Sequence, residues 1–420
     1  MLIDAQKIID TIIAENMPGQ AVKNALKGRR FESFDKQIHM VAVGKAAWTM
    51  AKAASDFLGD RLKRGIVLTK YAHSNGPIRG IEIYEAGHPV SDENTILATK
   101  KCVEMAESLQ GGDELLFLIS GGGSALFEMP WDGITLADIQ NVTNQLLARG
   151  ADIVEMNMVR KRLSRVKAGR FAKLAAPAKV YSIVLSDVLG DRLDTIASGP
   201  AAPDSSTVED AQKIVEKYRL DLTDVQKKYL LEETPKEIDN VETVITGSVR
   251  TLCESAAKAA RTLGYEPIIL TTGLNCEAKE AGRFLAAIAQ DIKKGNTFKI
   301  PCAIIAGGET VVTVTGKGKG GRNQELAFAA AKGIEGLDDV LIFSVGSDGT
   351  DGPTDAAGGM VDGSSFEKLK EAGFDFDAIL ADNDSYNGLK AIGGLIVTGP
   401  TGTNVNDVAV LLCRKGLQLC

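Results

Sequence analysis

Lys45 and Arg322 are the residues whose type and setting point most directly to chemistry. Lys45 follows Gly44 in VAVGKAAW, between a β-branched apolar run and an alanine-rich segment of helical period, so it is expected where a strand hands over to a helix. A cation near a helix N-terminus is disfavoured by a few tenths to about 1 kcal/mol, and a bound anion removes that cost. The bland alternative is an exposed lysine that tolerates it. Arg322 closes the stretch GKGKGGRNQE, Gly316 to Glu325, with Asn323 and Glu325 at the expected start of a helix. Gly316, Gly318 and Gly321 fit the G-x-G-x-x-G of a dinucleotide turn, yet Lys317, Lys319 and Arg322 bring more positive charge than a pyrophosphate bridge usually requires.

Five further stretches fall at expected strand ends or on charged helices. LISGGGSALFEMP sets Gly121, Gly122 and Gly123 before Ser124; such a glycine run is costly in backbone entropy unless positive φ or close approach demands it, and its N–H groups can form an anion nest. In VLSDVLGDRLDTIASGP, Asp187 and Asp191 are spaced to hold a hard cation through oxygen, or else to cap helices and pair with Arg192. EMNMVRKRLSRVKAGR puts Asn157 and Lys161 on one helical face within a basic run, either facing an anion or simply solvated. Glu309, in AGGETVV, and Asp348, Asp351 and Asp355, in SVGSDGTDGPTDAAGG, read as metal ligands, as carboxylates orienting a hydroxyl, or as Asx-turns and caps.

The sequence lacks G-x-x-x-x-G-K-[ST], G-x-S-x-G and H-E-x-x-H, and its three histidines, His39, His73 and His88, argue against a histidine triad or zinc site. Phosphoryl transfer needs positioning and charge stabilisation more than a covalent nucleophile, so lysine, arginine, glycine loops and aspartate suffice for it. A net charge of -7 and 5% aromatic residues speak against nucleic acid as a partner. Six scattered cysteines without C-x-x-C spacing read as reduced thiols, and no apolar run approaches the roughly 18 residues of a membrane span. With an N-terminal stretch that reads as an amphipathic helix rather than a signal peptide, the expectation is a soluble, cytoplasmic protein.

The elements that must position these residues follow from periodicity. HMVAVGK, RGIVLTK, DELLFLISGGG and AKVYSIVLSDV read as strands in the first half, and VETVITGS, EPIILTT, CAIIAGGETVVTVTG and DDVLIFSVGSDG in the second, with alanine-rich helices between them. The polar region from Asp204 to Asn240 places a boundary near its end, giving an N-terminal domain over 1–240 and a C-terminal domain over 241–420. The expected fold is two α/β lobes with mainly parallel, Rossmann-like sheets and an active site in the cleft between them.

The motifs also resemble, in order and over nearly the whole chain, those of the class II glycerate 2-kinases of the MOFRL type, once labelled hydroxypyruvate reductases. The likeness runs through VAVGKAAW, EAGHPVSDE, ISGGGSAL, NMVRKRLSRVKAGR, LSDVLGDRLDTIASGP, AGGETVVTV, GKGKGGRNQEL, GSDGTDGPTDAAG and GPTGTNVNDV. It implies transfer of the γ-phosphoryl group of ATP, with Mg²⁺, to D-glycerate, giving 2-phosphoglycerate. The family's lysine and arginine fall on Lys45 and Arg322. Beside them, Gly121, Gly122, Gly123, Ser124, Gly316, Gly318, Gly320, Gly321 and Asn323 are assigned to the nucleotide. Ser124, Asn157, Lys161, Glu309 and Asp348 are assigned to glycerate, and Asp187 and Asp191 to the cation. Two positions depart from the family: Ala168 stands where a glycine is more frequent, and Ser91 where proline is frequent. Competing readings are an NAD(P)-dependent hydroxypyruvate reductase and a non-catalytic sugar-phosphate sensor; monomer and homodimer both remain open.

Overall fold

The computed structural model describes residues 1–28, 37–186, 190, 192–295 and 298–414. The chain divides into two compact units, Ala21–Thr246 and a second made of Met1–Gln20 together with Gly247–Cys420. This differs from the division at 240/241 in giving the first twenty residues to the C-terminal half. The reason is the helix Leu2–Glu15, whose Ile8, Ile9 and Ile12 are fully buried. Its following residue Asn16 donates from Nδ2 to Ser255 Oγ at 3.1 Å and accepts at its carbonyl from Thr403 Oγ1 at 2.9 Å.

In the unit Ala21–Thr246 the strands are β1 (Ile38–Val43), β2 (Leu62–Lys70), β3 (Ile81–Ala86), β4 (Glu114–Ile119), β5 (Lys179–Leu185) and β6 (Val241–Gly247). Their order in the sheet is β3-β2-β1-β4-β5-β6. β1 runs parallel to both β2 and β4, with Val41 opposite Phe117. IHMVAV and ELLFLI are buried at every position, as central parallel strands covered on both faces must be. The direction of winding reverses between β1 and β4, which makes the carboxyl ends of these two strands the topological switch point of the sheet. A core around Phe117, Phe127 and Phe171, with ring centroids 4.8–5.9 Å apart, lies directly beneath these ends. The polar region after Asp204 is not a linker: the helices Val208–Lys217 and Asp224–Leu230, each opened by a threonine capping box, bury Ala211, Ile214 and Leu230 in a second core.

The other unit holds β7 (Glu266–Leu274), β8 (Cys302–Gly308), β9 (Val340–Gly346), β10 (Gly358–Asp362), β11 (Leu395–Ile396) and β12 (Asp407–Cys413), in the order β11-β10-β9-β12-β8-β7. β7 and β8 are parallel, as expected. β12, however, runs antiparallel between β8 and β9, and β10 runs antiparallel to β9. The expectation of a mainly parallel sheet therefore holds for the first unit and is corrected here. β12 starts opposite Gly308 and Gly346, the last residues of β8 and β9, and so runs back against both. β8 also stops at Gly308: the alternating TVVTVTG that follows is not a strand, and Val311 and Val314 are exposed.

Candidate functional site

Two clusters occupy strand ends, one in each unit. In the first, the turns after β1 and β4 lie side by side at the switch point. Lys45 donates its backbone N–H to Gly121 O at 2.9 Å, and Ala46 N–H donates to Ser120 Oγ at 3.1 Å. Gly44, with φ of 113°, passes so close to Ser120 that any Cβ there would collide with it. The Lys45 side chain is exposed. Gly122 has φ of 84°, and a Cβ on it would meet both Lys45 Cγ and the His88 ring at 3.1 Å. Burial and the charge of Lys45 hold His88 below the ordinary imidazole value, so a neutral ring stands beside the lysine. His73 lies here too, its Nδ1 3.2 Å from Lys45 O. His88 was not expected here, because β3, the strand that carries the chain to EAGHPVSDE, is not among the strands read from the sequence.

Ser124 and Asn157 are brought together through Ser198, of the stretch VLSDVLGDRLDTIASGP. Ser124 Oγ lies 3.0 Å from Ser198 Oγ, which donates to Asn157 Oδ1 at 3.3 Å. Ser198 belongs to a left-handed turn, Ala197, Ser198 and Gly199, with φ of 51°, 61° and 65°. Non-glycine residues in this region carry about 1–2 kcal/mol of strain each. The turn is held by Ala168 N–H donating to Ser198 O at 3.0 Å and Gly169 N–H to Gly199 O at 2.6 Å. Ala168 itself has φ of 53°, which explains why glycine suits that position.

Three cations of the basic run, Lys161, Arg162 and Lys167, are neither solvated nor unpaired. Lys161 is buried and paired with Asp204 at 3.2 Å and Asp194 at 3.5 Å. Arg162 is fully buried against Ser206 and Glu233. Lys167, pushed down to about 8 by burial, donates to Ser124 O at 2.7 Å and Phe127 O at 3.1 Å, tying down the turn after β4. Its counter-ion is the buried Glu128 at 3.3 Å. Asp187 and Asp191 lie outside the described residues. Among the described residues no group of three or more His, Cys, Asp or Glu side chains could hold a metal ion.

In the second unit Arg322 begins the helix Arg322–Ala330, as expected. Its fork is held on two sides: Nε and Nη2 donate to Asp407 at 2.6 and 3.2 Å, and Nη1 donates to Glu309 at 2.9 Å. Asp407, which the sequence reading did not single out, opens β12 opposite Gly308 and Gly346. Burial raises its carboxyl to about 6 in spite of the paired guanidinium.

The glycines of GKGKGG answer to packing. A Cβ on Gly316 or Gly318 would strike 382–384, one on Gly320 Ser385, and one on Gly321 the carboxylate of Asp351. The loop's N–H groups are spent likewise: Gly316 N–H donates to Asn383 Oδ1 at 3.0 Å, Lys317 N–H to Asp382 Oδ1 and Lys319 N–H to Asp384 Oδ1, both at 2.9 Å. Buried Asp351 occupies the helix N-terminus, accepting from Asn323 N–H at 3.2 Å and Gln324 N–H at 2.8 Å. The N–H groups of Gly316, Lys317 and Lys319 are thus occupied by bonds within the protein. Asn323 is buried, with Oδ1 taken by Ser344 at 2.6 Å. Asp348 forms an Asx-turn with Thr350 N–H at 3.0 Å.

The fold and these clusters define a two-unit α/β protein with an exposed lysine at a Rossmann-type switch point and an anchored arginine on a second, mixed sheet. Comparison with known proteins gives that class a family. Residues 4–231 match the family described as "Domain of unknown function (DUF4147)", and residues 302–407 match the MOFRL family. The chain is 54% identical to "D-glycerate 2-kinase" of Thermotoga maritima, over 97% of each protein, and 41% identical to "Glycerate 2-kinase" of Pyrococcus horikoshii, over 98% of this chain and 97% of that one. A crystal structure of glycerate kinase from Thermotoga maritima superposes with a TM-score of 0.94 at 53% identity, covering 98% of both chains. The chain belongs to the glycerate 2-kinase family.

Proposed function

We propose that this protein transfers the γ-phosphoryl group of ATP to the 2-hydroxyl of D-glycerate, forming ADP and 2-phosphoglycerate. The observation that carries the reading is the exposed Lys45 at the switch point, flanked by the glycine turns after β1 and β4, in a chain of this family. In the transfer the glycerate oxygen forms a bond to the γ-phosphorus, the bond to the β-phosphate oxygen breaks, and the hydroxyl proton is released. Negative charge on the moving group is what the protein must stabilise. Lys45 supplies a positive charge whose backbone is fixed by Gly121. Arg322 supplies a second, through the guanidinium N–H groups that Asp407 and Glu309 leave over.

Ser124, linked to Ser198 and Asn157, offers hydroxyls for glycerate. Lys161 acts at one remove, as the buried counter-ion of Asp194 and Asp204. Mg²⁺ is proposed to accompany the nucleotide phosphates and to neutralise charge on them; Asp187 and Asp191 stay its proposed ligands. The free cysteines among the described residues, four of the five buried, fit a reducing, cytoplasmic setting. Purified protein given D-glycerate, ATP and Mg²⁺ should release ADP in step with 2-phosphoglycerate. Oxidation of NAD(P)H by hydroxypyruvate without ADP release in the first mixture would sink the reading in favour of a reductase.

A further inference from the structure

We propose that Asp407 is the positioning residue that fixes the plane of the Arg322 guanidinium, and that Glu309 is a displaceable counter-ion which yields to an anionic substrate group. The inference rests on the reading of Arg322 as a catalytic cation, and deepens it. Asp407 opens β12 between the carboxyl ends of β8 and β9, opposite Gly308 on one side and Gly346 on the other. Neither neighbour carries a side chain, so the carboxylate lies directly against the sheet and the backbone that carries it is hydrogen-bonded on both edges. From there it accepts from Nε and Nη2 together, at 2.6 and 3.2 Å, a two-point contact that sets the orientation of the fork as well as its position.

Glu309 touches the same guanidinium through a single bond, from Nη1 at 2.9 Å. The two partners differ in exposure: the Asp407 side chain is 9% exposed and that of Glu309 is 44% exposed. Removing a buried partner leaves an uncompensated charge, whereas a half-solvated ion pair is held weakly. An incoming phosphoryl group therefore has only the weaker partner to displace. The buried one stays behind and keeps the remaining N–H groups aimed.

Titration of Asp407 gives this arrangement a pH dependence. Its carboxyl faces Arg322 and Asn323 of the helix Arg322–Ala330, with Asp351 and Asp348 of the segment after β9 near it, while Glu309 after β8 stands on the other side of the shared guanidinium. Burial, with Asp351, raises it, and Arg322 and Asn323 lower it, leaving it at about 6. Protonation removes one of the two acceptors, so turnover should show an acid limb there.

The test uses the full chain with ATP and D-glycerate. Asp407→Asn keeps the side-chain shape but presents at most one acceptor to the fork. It should lower kcat by about tenfold or more with little change in KM, and the acid limb near pH 6 should disappear. Glu309→Gln should lower the KM for ATP by about two- to fivefold while kcat is retained. Wild-type kcat and acid limb in Asp407→Asn, or a raised KM in Glu309→Gln, overturns the proposal. Arg322→Ala separates the two layers: if it is fully active the reading of Arg322 falls, and if it is dead while Asp407→Asn is normal only the positioning role falls. Should Asp407→Asn not fold, the unmodified protein still decides. The Arg322 Nε–H resonance, assigned by its loss in Arg322→Lys, should titrate near pH 6, and a signal invariant over that range overturns the proposal.

Discussion

At the scale of single residues, the two cations are built differently. Lys45 has an exposed side chain on a backbone pinned by Gly121, and Arg322 is a fork already gripped by two carboxylates. A compact ammonium on a flexible stem can follow a phosphate, whereas a planar guanidinium is worth most when its geometry is set beforehand. Arg322→Ala should therefore lose kcat by about 10³- to 10⁵-fold, the range for arginines on transferring phosphoryl groups. Arg322→Lys should recover little of it, because an ammonium cannot donate the planar two-point contact that the guanidinium makes to Asp407. Steady-state kinetics check both, and near-normal turnover in Arg322→Ala would make the residue structural. Both cations were legible in the sequence, since each borders glycines at an expected strand–helix junction. Asp407 was not: nothing local in GTNVNDV says that its carboxylate meets an arginine 85 positions earlier.

At the scale of elements, the turn after β4 and the left-handed turn at 197–199 form one packed unit. Gly123 opens the short helix Gly123–Leu126, and a Cβ there would stand 2.6 Å from Ala197 Cβ, closer than two carbons can sit. Gly123→Ala should thus cost about 1–3 kcal/mol through overpacking. Adding Ala197→Gly removes the opposing methyl and relaxes a residue held at φ of 51°, so the double variant should regain most of that loss. Chemical denaturation of the two single variants and the double variant measures the coupling, and additive losses would show that the two turns are not in contact. Here the sequence was only half informative. Three glycines marked a tight turn, but that Gly123 needs room for Ala197 is a long-range fact. The basic run misled for a related reason: Lys167 and Arg162 look solvated in a charged string, yet each is buried with a carboxylate drawn from elsewhere. β1, β4, β8 and β9 were readable because they are continuous apolar runs, whereas β3, β10, β11 and β12 were not among the expected strands, and the antiparallel course of β12 depends on where the chain re-enters the sheet.

At the scale of the whole molecule, the first and last parts of the sequence stabilise the same unit. The helix Leu2–Glu15 packs on the helix Val249–Thr262 and buries Ile8, Ile9 and Ile12, and its polar edge is tied down as well. Tyr265 OH donates to Asp4 Oδ2 at 2.9 Å, Arg414 pairs with the same carboxylate at 3.1 Å, and Thr251 Oγ1 donates to Asn16 Oδ1 at 3.2 Å. Burying such an isoleucine contributes about 1.5–3 kcal/mol, and truncating it adds the cost of a cavity, so Ile12→Ala should destabilise by about 2–5 kcal/mol. The loss should be local to the unit that holds Arg322. Hydrogen exchange should quicken in Val249–Thr262 and around Thr403, more than 200 residues along the chain, while the strands of Ala21–Thr246 keep their protection. Faster exchange in β1 and β4 instead would mean that the first twenty residues support the N-terminal unit after all, as the boundary at 240/241 had implied.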